Sequence, residues 1–196
     1  VLGNSSLTYS NLGEYQLAFE NIKQAIGIQE KIFGELNINL LWYYEVAAEI
    51  LIKYEKYQQA QVNVDKAMRI LTLNNETNEY DKNFVKSYQA EIYHGLGKNE
   101  LAIKMAKEVY EYLISEEDKT VKDILHITSV ISDSYTDLED YKEVNKWIDI
   151  GDSLARSYYA PTHSERLNSQ MRKMLNNFQS RQLVANEDLF QEILES

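Results

Sequence analysis

Apolar residues along this chain recur at spacings of three and four, the signature of helices with one packed face. Residues 1–11 read as a helix that packs through Leu2, Ser5, Ser6, Tyr9 and Leu12. A second runs from about Tyr15 to Phe33, carries Ala18, Ile22, Ala25, Ile26 and Ile32, and stops at Gly34. The alternation continues: Leu40–Tyr54 with Tyr44, Ala47, Ala48 and Leu51, then a partner with Ala60, Val64, Ala67 and Met68. Asn83–Leu96 carries Ala90 and Tyr93; Asn99–Ile114 carries Ala102, Ala106 and Val109. Val121–Leu138 with Ile131, Ser132 and Tyr135 precedes Tyr141–Tyr159 with Val144, Ile148 and Gly151. The loops between pairs fall at Asn74-Asn75-Glu76 and at the acidic Ser115-Glu116-Glu117-Asp118.

These helices are repeats. Gly13, Glu55, Gly97 and Glu139 are spaced by 42 residues without an insertion. Two residues after each stands Tyr15, Tyr57, Asn99 or Tyr141, and five after each stands Ala18, Ala60, Ala102 or Val144. A fixed period of this length marks an array of supersecondary units. Gly13 suits the left-handed conformation that ends a helix. Tyr9, Tyr15, Tyr57, Tyr93, Tyr135 and Tyr141 fall at repeat-packing positions, as core rings with an edge hydroxyl. Pro161 interrupts the pattern, and Thr162 or Ser164 is placed to cap one more helix, Glu165 to about Arg181. Its stripe is Leu167, Met171, Met174, Leu175 and Phe178. No turn motif recurs at 181, so this helix is expected to cap the stack. Residues 182–196 form an acidic tail with a short apolar face, Leu189, Phe190, Ile193 and Leu194, expected to be mobile or to dock on a neighbouring surface.

Composition narrows the function. One proline and seven glycines in 196 residues favour helix over a turn-rich β fold. The net charge of −11 disfavours direct nucleic-acid or anionic-membrane contact. Cysteine is absent, which removes disulfide and thiol chemistry and fits a cytoplasmic location. No apolar run is long enough to span a membrane and no secretory signal is present. Residue 1 is Val and already lies in a helical pattern, which reads as a segment of a longer protein.

No catalytic constellation is visible. His94, His126 and His163 lack the short spacing of a metal site. Asp149 with Asp152, and Glu116-Glu117-Asp118, lack the glycine turn and spaced oxygens of a calcium loop and read as exposed charge. There is no phosphate-binding glycine loop or nucleophile elbow. The expectation is a non-enzyme with no cofactor and no metal.

Ser5, Ser6, Tyr9, Gly13, Tyr15, Ala18 and Ala25, repeated as Ala47, Ala48, Leu51, Tyr57, Ala60 and Ala67, resemble the tetratricopeptide repeat. The period of 42, against the usual 34, and the run Ala25 to Gly34 are similar to the kinesin-light-chain subtype. Unit three departs at Gln89 and Asn99, and unit four at Val144 and Gly151. The resemblance implies an all-α superhelical stack of antiparallel helix pairs with a C-terminal capping helix. Residues 1–181 would form one repeat domain, with units at about 1–36, 37–79, 80–119 and 120–160 and the cap at 162–181. It further implies a protein- or peptide-binding adaptor within a larger protein, or alternatively the ligand-sensing domain of a bacterial transcription regulator or sensor kinase.

In that family the first helices line a concave groove. The register then nominates Asn4 and Asn11; Trp42, Glu45, Glu49 and Lys53; Ser87, Tyr88, Glu91 and His94; and Asp133, with Leu7, Val46, Phe84, Ser129, Val130 and Asp137 beside them. The two amides suit an extended peptide's main chain. Glu45, Glu49, Glu91 and Asp133 would give an acidic floor that selects Lys or Arg. Trp42 reads equally as a ligand contact or as packing on the preceding unit. The expected partner is an extended protein segment with basic residues; self-association is left open.

Overall fold

The computed structural model describes residues 2–74, 79–116 and 120–179. The expected acidic tail, the Asn75–Glu76 and Glu117–Asp118 loop residues and the Phe178 side chain lie outside what is described. Among the described residues the chain is helical, with no strand. The order is α1 (Leu2–Asn11), α2 (Tyr15–Phe33), a 3-10 turn (Ile38–Leu40), α3 (Leu41–Lys53), α4 (Tyr57–Leu73), α5 (Glu79–Gly95), α6 (Asn99–Ser115), α7 (Val121–Asp137), α8 (Tyr141–Tyr158) and α9 (Ser164–Gln179). The helices fall into two compact units, Val1–Lys98 and Asn99–Ser196.

The turn after each first helix explains the period. Gly13, Glu55, Gly97 and Glu139 all have positive φ, at 80°, 58°, 70° and 58°. Around each, the same two backbone bonds close the helix. The amide of Glu55 donates to the Ile52 carbonyl and that of Lys56 to the Leu51 carbonyl, both at 2.8 Å. Equivalent pairs run from Gly13 to Ser10 and Glu14 to Tyr9, from Gly97 to His94 and Lys98 to Tyr93, and from Glu139 to Thr136 and Asp140 to Tyr135. This is a Schellman closure, which satisfies carbonyls that a helix end otherwise leaves open. Two glutamates hold a conformation that costs a side-chain-bearing residue about 1–2 kcal/mol. The closure is therefore imposed by packing at those two turns, not by glycine.

In the first unit α1 packs on α2, α2 on α3, α3 on α4 and α4 on α5, while the first helices α1, α3 and α5 also meet in that order. The core runs through Ala18, Ile22, Leu40, Tyr44, Ala47, Ala48, Ile50, Leu51, Ala60, Val64, Ile70 and Val85. Ser6 is fully buried, and its hydroxyl is satisfied by the Gly3 carbonyl of the same helix. Small residues at these positions let the two backbones approach. Tyr57 lies flat on Gly95 of α5, so closely that a Cβ at Gly95 would collide with its ring.

A polar network crosses the same unit. The Tyr44 hydroxyl donates to Glu30 at 2.6 Å, and Lys66 Nζ donates to Glu30 at 2.8 Å, joining α2, α3 and α4. Burial alone would raise the Glu30 carboxyl, but the Lys66 and Tyr44 hydrogen bonds hold it below its usual range. Burial and the adjacent Glu30 charge push the Tyr44 hydroxyl up.

In the second unit α6 packs on α7, α7 on α8 and α8 on α9. Gly151 is buried, and a Cβ there would lie 3.3 Å from Thr128 Oγ1, a tight contact at the α7–α8 approach. Two expectations change here. Tyr141 is 42% exposed rather than core, because its helix-start position faces solvent in the second unit. The α9 stripe packs only in part: Leu167 and Met174 are half-buried, Met171 and Leu175 are exposed, and Gln170, Asn176 and Asn177 are buried. Asn176 donates to Asn145 of α8, so amide pairing substitutes for apolar contact. At the start of α9 the Glu165 amide donates to His163 Nδ1 at 3.2 Å, so His163 takes the capping role expected of Thr162 or Ser164.

Two substitutions test this packing. Ala60→Leu adds volume where accessibility is zero and is expected to lower stability by about 1–3 kcal/mol in denaturant titration. Glu55→Gly relieves the left-handed turn and is expected to raise stability by about 0.5–1 kcal/mol, read in the same titration.

Candidate interaction surfaces

Of the eleven nominated residues, ten lie on α1, α3 and α5, and Asp133 lies on α7. Asn4 and Asn11 of α1 are exposed. Trp42 of α3 packs on the preceding helix α1, one of the two readings of its position. Its ring lies on Gly3 of α1, so that a Cβ there would meet Trp42 Cζ3 at 2.8 Å, yet 41% of the residue remains exposed. Tyr43 packs edge-on against it at 5.0 Å between centroids. Glycine at position 3 is thus the seat of the tryptophan.

Glu45 and Glu49 follow Trp42 along α3. Glu45 is half-buried. Burial pushes its carboxyl up to about 7, with repulsion from Asp81 of α5 adding to the effect. Glu49 pairs with Lys53 one turn later, Nζ to Oε1 at 2.6 Å, which offsets part of its charge. Ser87 of α5 bonds the Phe84 carbonyl at 2.6 Å and so points its hydroxyl inward to its own helix. Tyr88 is half-buried and packs edge-on with Phe84 at 5.1 Å; Glu91 and His94 are half-buried beyond it. Val46, placed beside the groove set by the register, is instead 5% exposed and belongs to the core; its position turns toward the packed side of α3.

Tyr80 was missed. It stacks on Phe84 at 6.1 Å with ring planes 15° apart and is 39% exposed. Tyr80, Phe84 and Tyr88 form an aromatic ladder at four-residue spacing along α5, a signal present in the sequence once α5 is extended back to Glu79.

In the second unit Asp133 is already matched. Arg172 of α9 grips it with both terminal nitrogens, at 2.6 and 3.0 Å. Val130, beside it in the nominated set, is buried at 4%. Asp152 is also not the exposed charge expected: it is buried and binds Arg156 at 3.0 Å and Lys173 at 3.5 Å, while Asp149 takes Lys173 at 2.8 Å. The hydrogen bond to Asp149 dominates in holding the Lys173 ammonium above its usual range. An open cleft of about 470 Å³ lies between α7, α8 and α9, with Leu125, Ser129, Ile148, Met171, Arg172 and Leu175 on its walls. A second hollow of about 480 Å³, lined by Ile114, Leu154 and Tyr158 among others, lies over α6, α7 and α8.

Among the described residues no group of three or more His, Cys, Asp or Glu is placed to hold a metal ion. No described helix is long and apolar enough to cross a membrane.

This arrangement of paired helices is a tetratricopeptide-repeat-like fold, of the kind that generally mediates protein–protein interaction. No family model matches the chain. Tetratricopeptide repeat protein 23 of Rattus norvegicus is 23% identical over 133 residues, covering 67% of this chain and 30% of that protein. The chain thus spans under a third of that relative's length. Among solved structures, nearly identical TPR-like repeats from Podosopora anserina, assigned there to a kinesin light chain, match with a TM-score of 0.74 at 15% identity over 99% of this chain and 92% of that one. A single-substitution variant of those repeats matches with a TM-score of 0.75 at the same identity and coverage. At this identity the likeness is one of fold.

The raised Glu45 carboxyl has a stability consequence. An acid whose folded pKa lies above its unfolded value disfavours the folded state once it ionises. Stability is therefore expected to fall as pH rises from about 4.5 to about 7 through this group. Glu45→Gln should remove that component and leave the variant more stable than the parent above pH 7, by about 1–3 kcal/mol. Denaturant titrations of both proteins across pH 4–8 check it: parallel curves would contradict the assignment.

Proposed function

We propose that the chain is a protein-interaction module that holds an extended segment bearing Lys or Arg along the α1–α3–α5 face of its first unit. The reading takes residues 1–181 as one repeat domain of a larger protein and this face as its binding surface. One observation carries it: Glu45, a carboxylate that burial and Asp81 make costly to ionise, stands on the same helix as the half-exposed Trp42. A ligand cation beside Glu45 and Asp81 relieves that cost, and the indole and the Tyr80–Phe84–Tyr88 ladder supply flat apolar area for the stem of a Lys or Arg. Asn4 and Asn11 offer amides to the ligand's main chain. Asp133 is left out of this site, because Arg172 already meets its charge.

Binding of a Lys- or Arg-containing peptide is expected to weaken as salt rises. Glu49→Lys with Glu91→Lys should reduce affinity about tenfold or more, the scale of one or two charge contacts, with helicity and melting nearly unchanged. Calorimetry at two salt concentrations measures it. Selection of acidic or wholly apolar peptides from a library, or full binding by the double variant, would refute this reading.

A further inference from the structure

The two units treat equivalent helix joints in opposite ways. In the first unit the joint between α2, α3 and α4 holds Tyr44, which is fully buried. Its hydroxyl donates to Glu30 of α2 at 2.6 Å. The Lys66 ammonium of α4 donates to the same carboxylate at 2.8 Å and lies 5.0 Å from the tyrosine ring centroid. Two 42-residue steps carry these positions onto α6, α7 and α8 of the second unit. Tyr44 falls on Thr128, Glu30 on Ile114 and Lys66 on Ile150. Ile26, Leu40 and Ile70 fall on Tyr110, Ile124 and Leu154. The ring, the carboxylate and the ammonium are thus replaced together, and the joint turns apolar.

The hollow of about 480 Å³ stands at these positions: Tyr110, Ile114, Ile124, Ile150 and Leu154 all line it. Thr128 is too short to replace the ring, and its hydroxyl turns back to donate to the Leu125 carbonyl of its own helix at 2.9 Å. Ile114 and Tyr158, both at the hollow, remain exposed. Among the described lining residues the charged side chain is Asp149, and its carboxylate already takes Lys173 at 2.8 Å.

We propose that this hollow, on the face of the second helices α6 and α8, receives a phenylalanine side chain presented by a partner protein. Such a ring supplies from outside what Tyr44 supplies from within in the first unit. The volume and the apolar lining suit a ligand group of this kind. A ring is favoured over an aliphatic chain because Tyr110 and Tyr158 offer aromatic edges and faces, and aromatic pairs add to the gain from burial. Phenylalanine is favoured over tyrosine because Ile114 and Ile150 stand where Glu30 and Lys66 satisfy the Tyr44 hydroxyl, so a buried phenol would lose its partners. Lys and Arg are disfavoured because the Asp149 charge is already matched. The site stands whether or not the α1–α3–α5 face binds a basic segment.

The probe is a short glycine–serine peptide with one central phenylalanine, titrated into the full chain while the isoleucine methyl groups are followed by NMR. Saturable shifts are expected at Ile114, Ile124 and Ile150. The same peptide with leucine is expected to bind about three- to tenfold more weakly, and the tyrosine peptide about fivefold more weakly or worse. Thr128→Tyr, which refills the joint from within, is expected to abolish the shifts. Ile114→Glu, at an exposed position that does not endanger folding, is expected to weaken the peptide about tenfold or more and decides the matter should Thr128→Tyr not fold. The absence of saturable shifts, equal affinity for the leucine or tyrosine peptide, or full binding by Ile114→Glu overturns the proposal. Shifts with free benzyl alcohol but none with the phenylalanine peptide would assign the hollow to a small aromatic molecule and also overturn it.

Discussion

Close approach of two helix backbones across a left-handed turn is the constraint on which this structure depends. Where Ala48 and Ala60, Ser6 and Ala18, or Ser132 and Val144 flank the turn, accessibility is at or near zero. Any larger residue would push the pair apart, and interiors packed at this density absorb such a change poorly. The Schellman closure follows from that approach, since a chain reversing so tightly must place one residue at positive φ. Glu55 and Glu139 show the direction of cause: they accept local strain because packing on either side fixes where the turn must be.

Polar chemistry is then distributed by what the packing leaves. Inside the first unit, Glu30 is drawn into the joint between α2, α3 and α4, where Lys66 and Tyr44 satisfy it. In the second unit, Asp133 and Asp152 are met by Arg172, Arg156 and Lys173. Asp152 is buried, so removing its cationic partners would leave an uncompensated charge, whereas the exposed Asp133–Arg172 pair adds little in water. Glu45 differs: the charged neighbour acting on it is another carboxylate, Asp81. That contrast separates a carboxylate whose charge is opposed by its surroundings from those matched by cations.

The tertiary structure also redistributes aromatic residues. Trp42 needs Gly3 beneath it, and Tyr57 needs Gly95. Gly3 is the second residue of α1 and Gly95 the last of α5. Their presence is explained by the ring each accommodates. The period in the sequence identified the tyrosine, but not the glycine that receives it.

By itself the sequence determined the helices, their pairing and the four turns, because each depends on residues within one 42-residue interval. Ala18, Ala60 and Ala102 announce a close contact by size alone, and the period locates the left-handed position even where glutamate stands there. What only the tertiary structure decided was the electrostatic state of each surface carboxylate. Asp133 and Glu45 look alike in the register, yet one meets an arginine 39 residues away and the other an aspartate on a neighbouring helix. Solvation and partner choice at such positions are set by residues distant in sequence, which a local pattern does not encode.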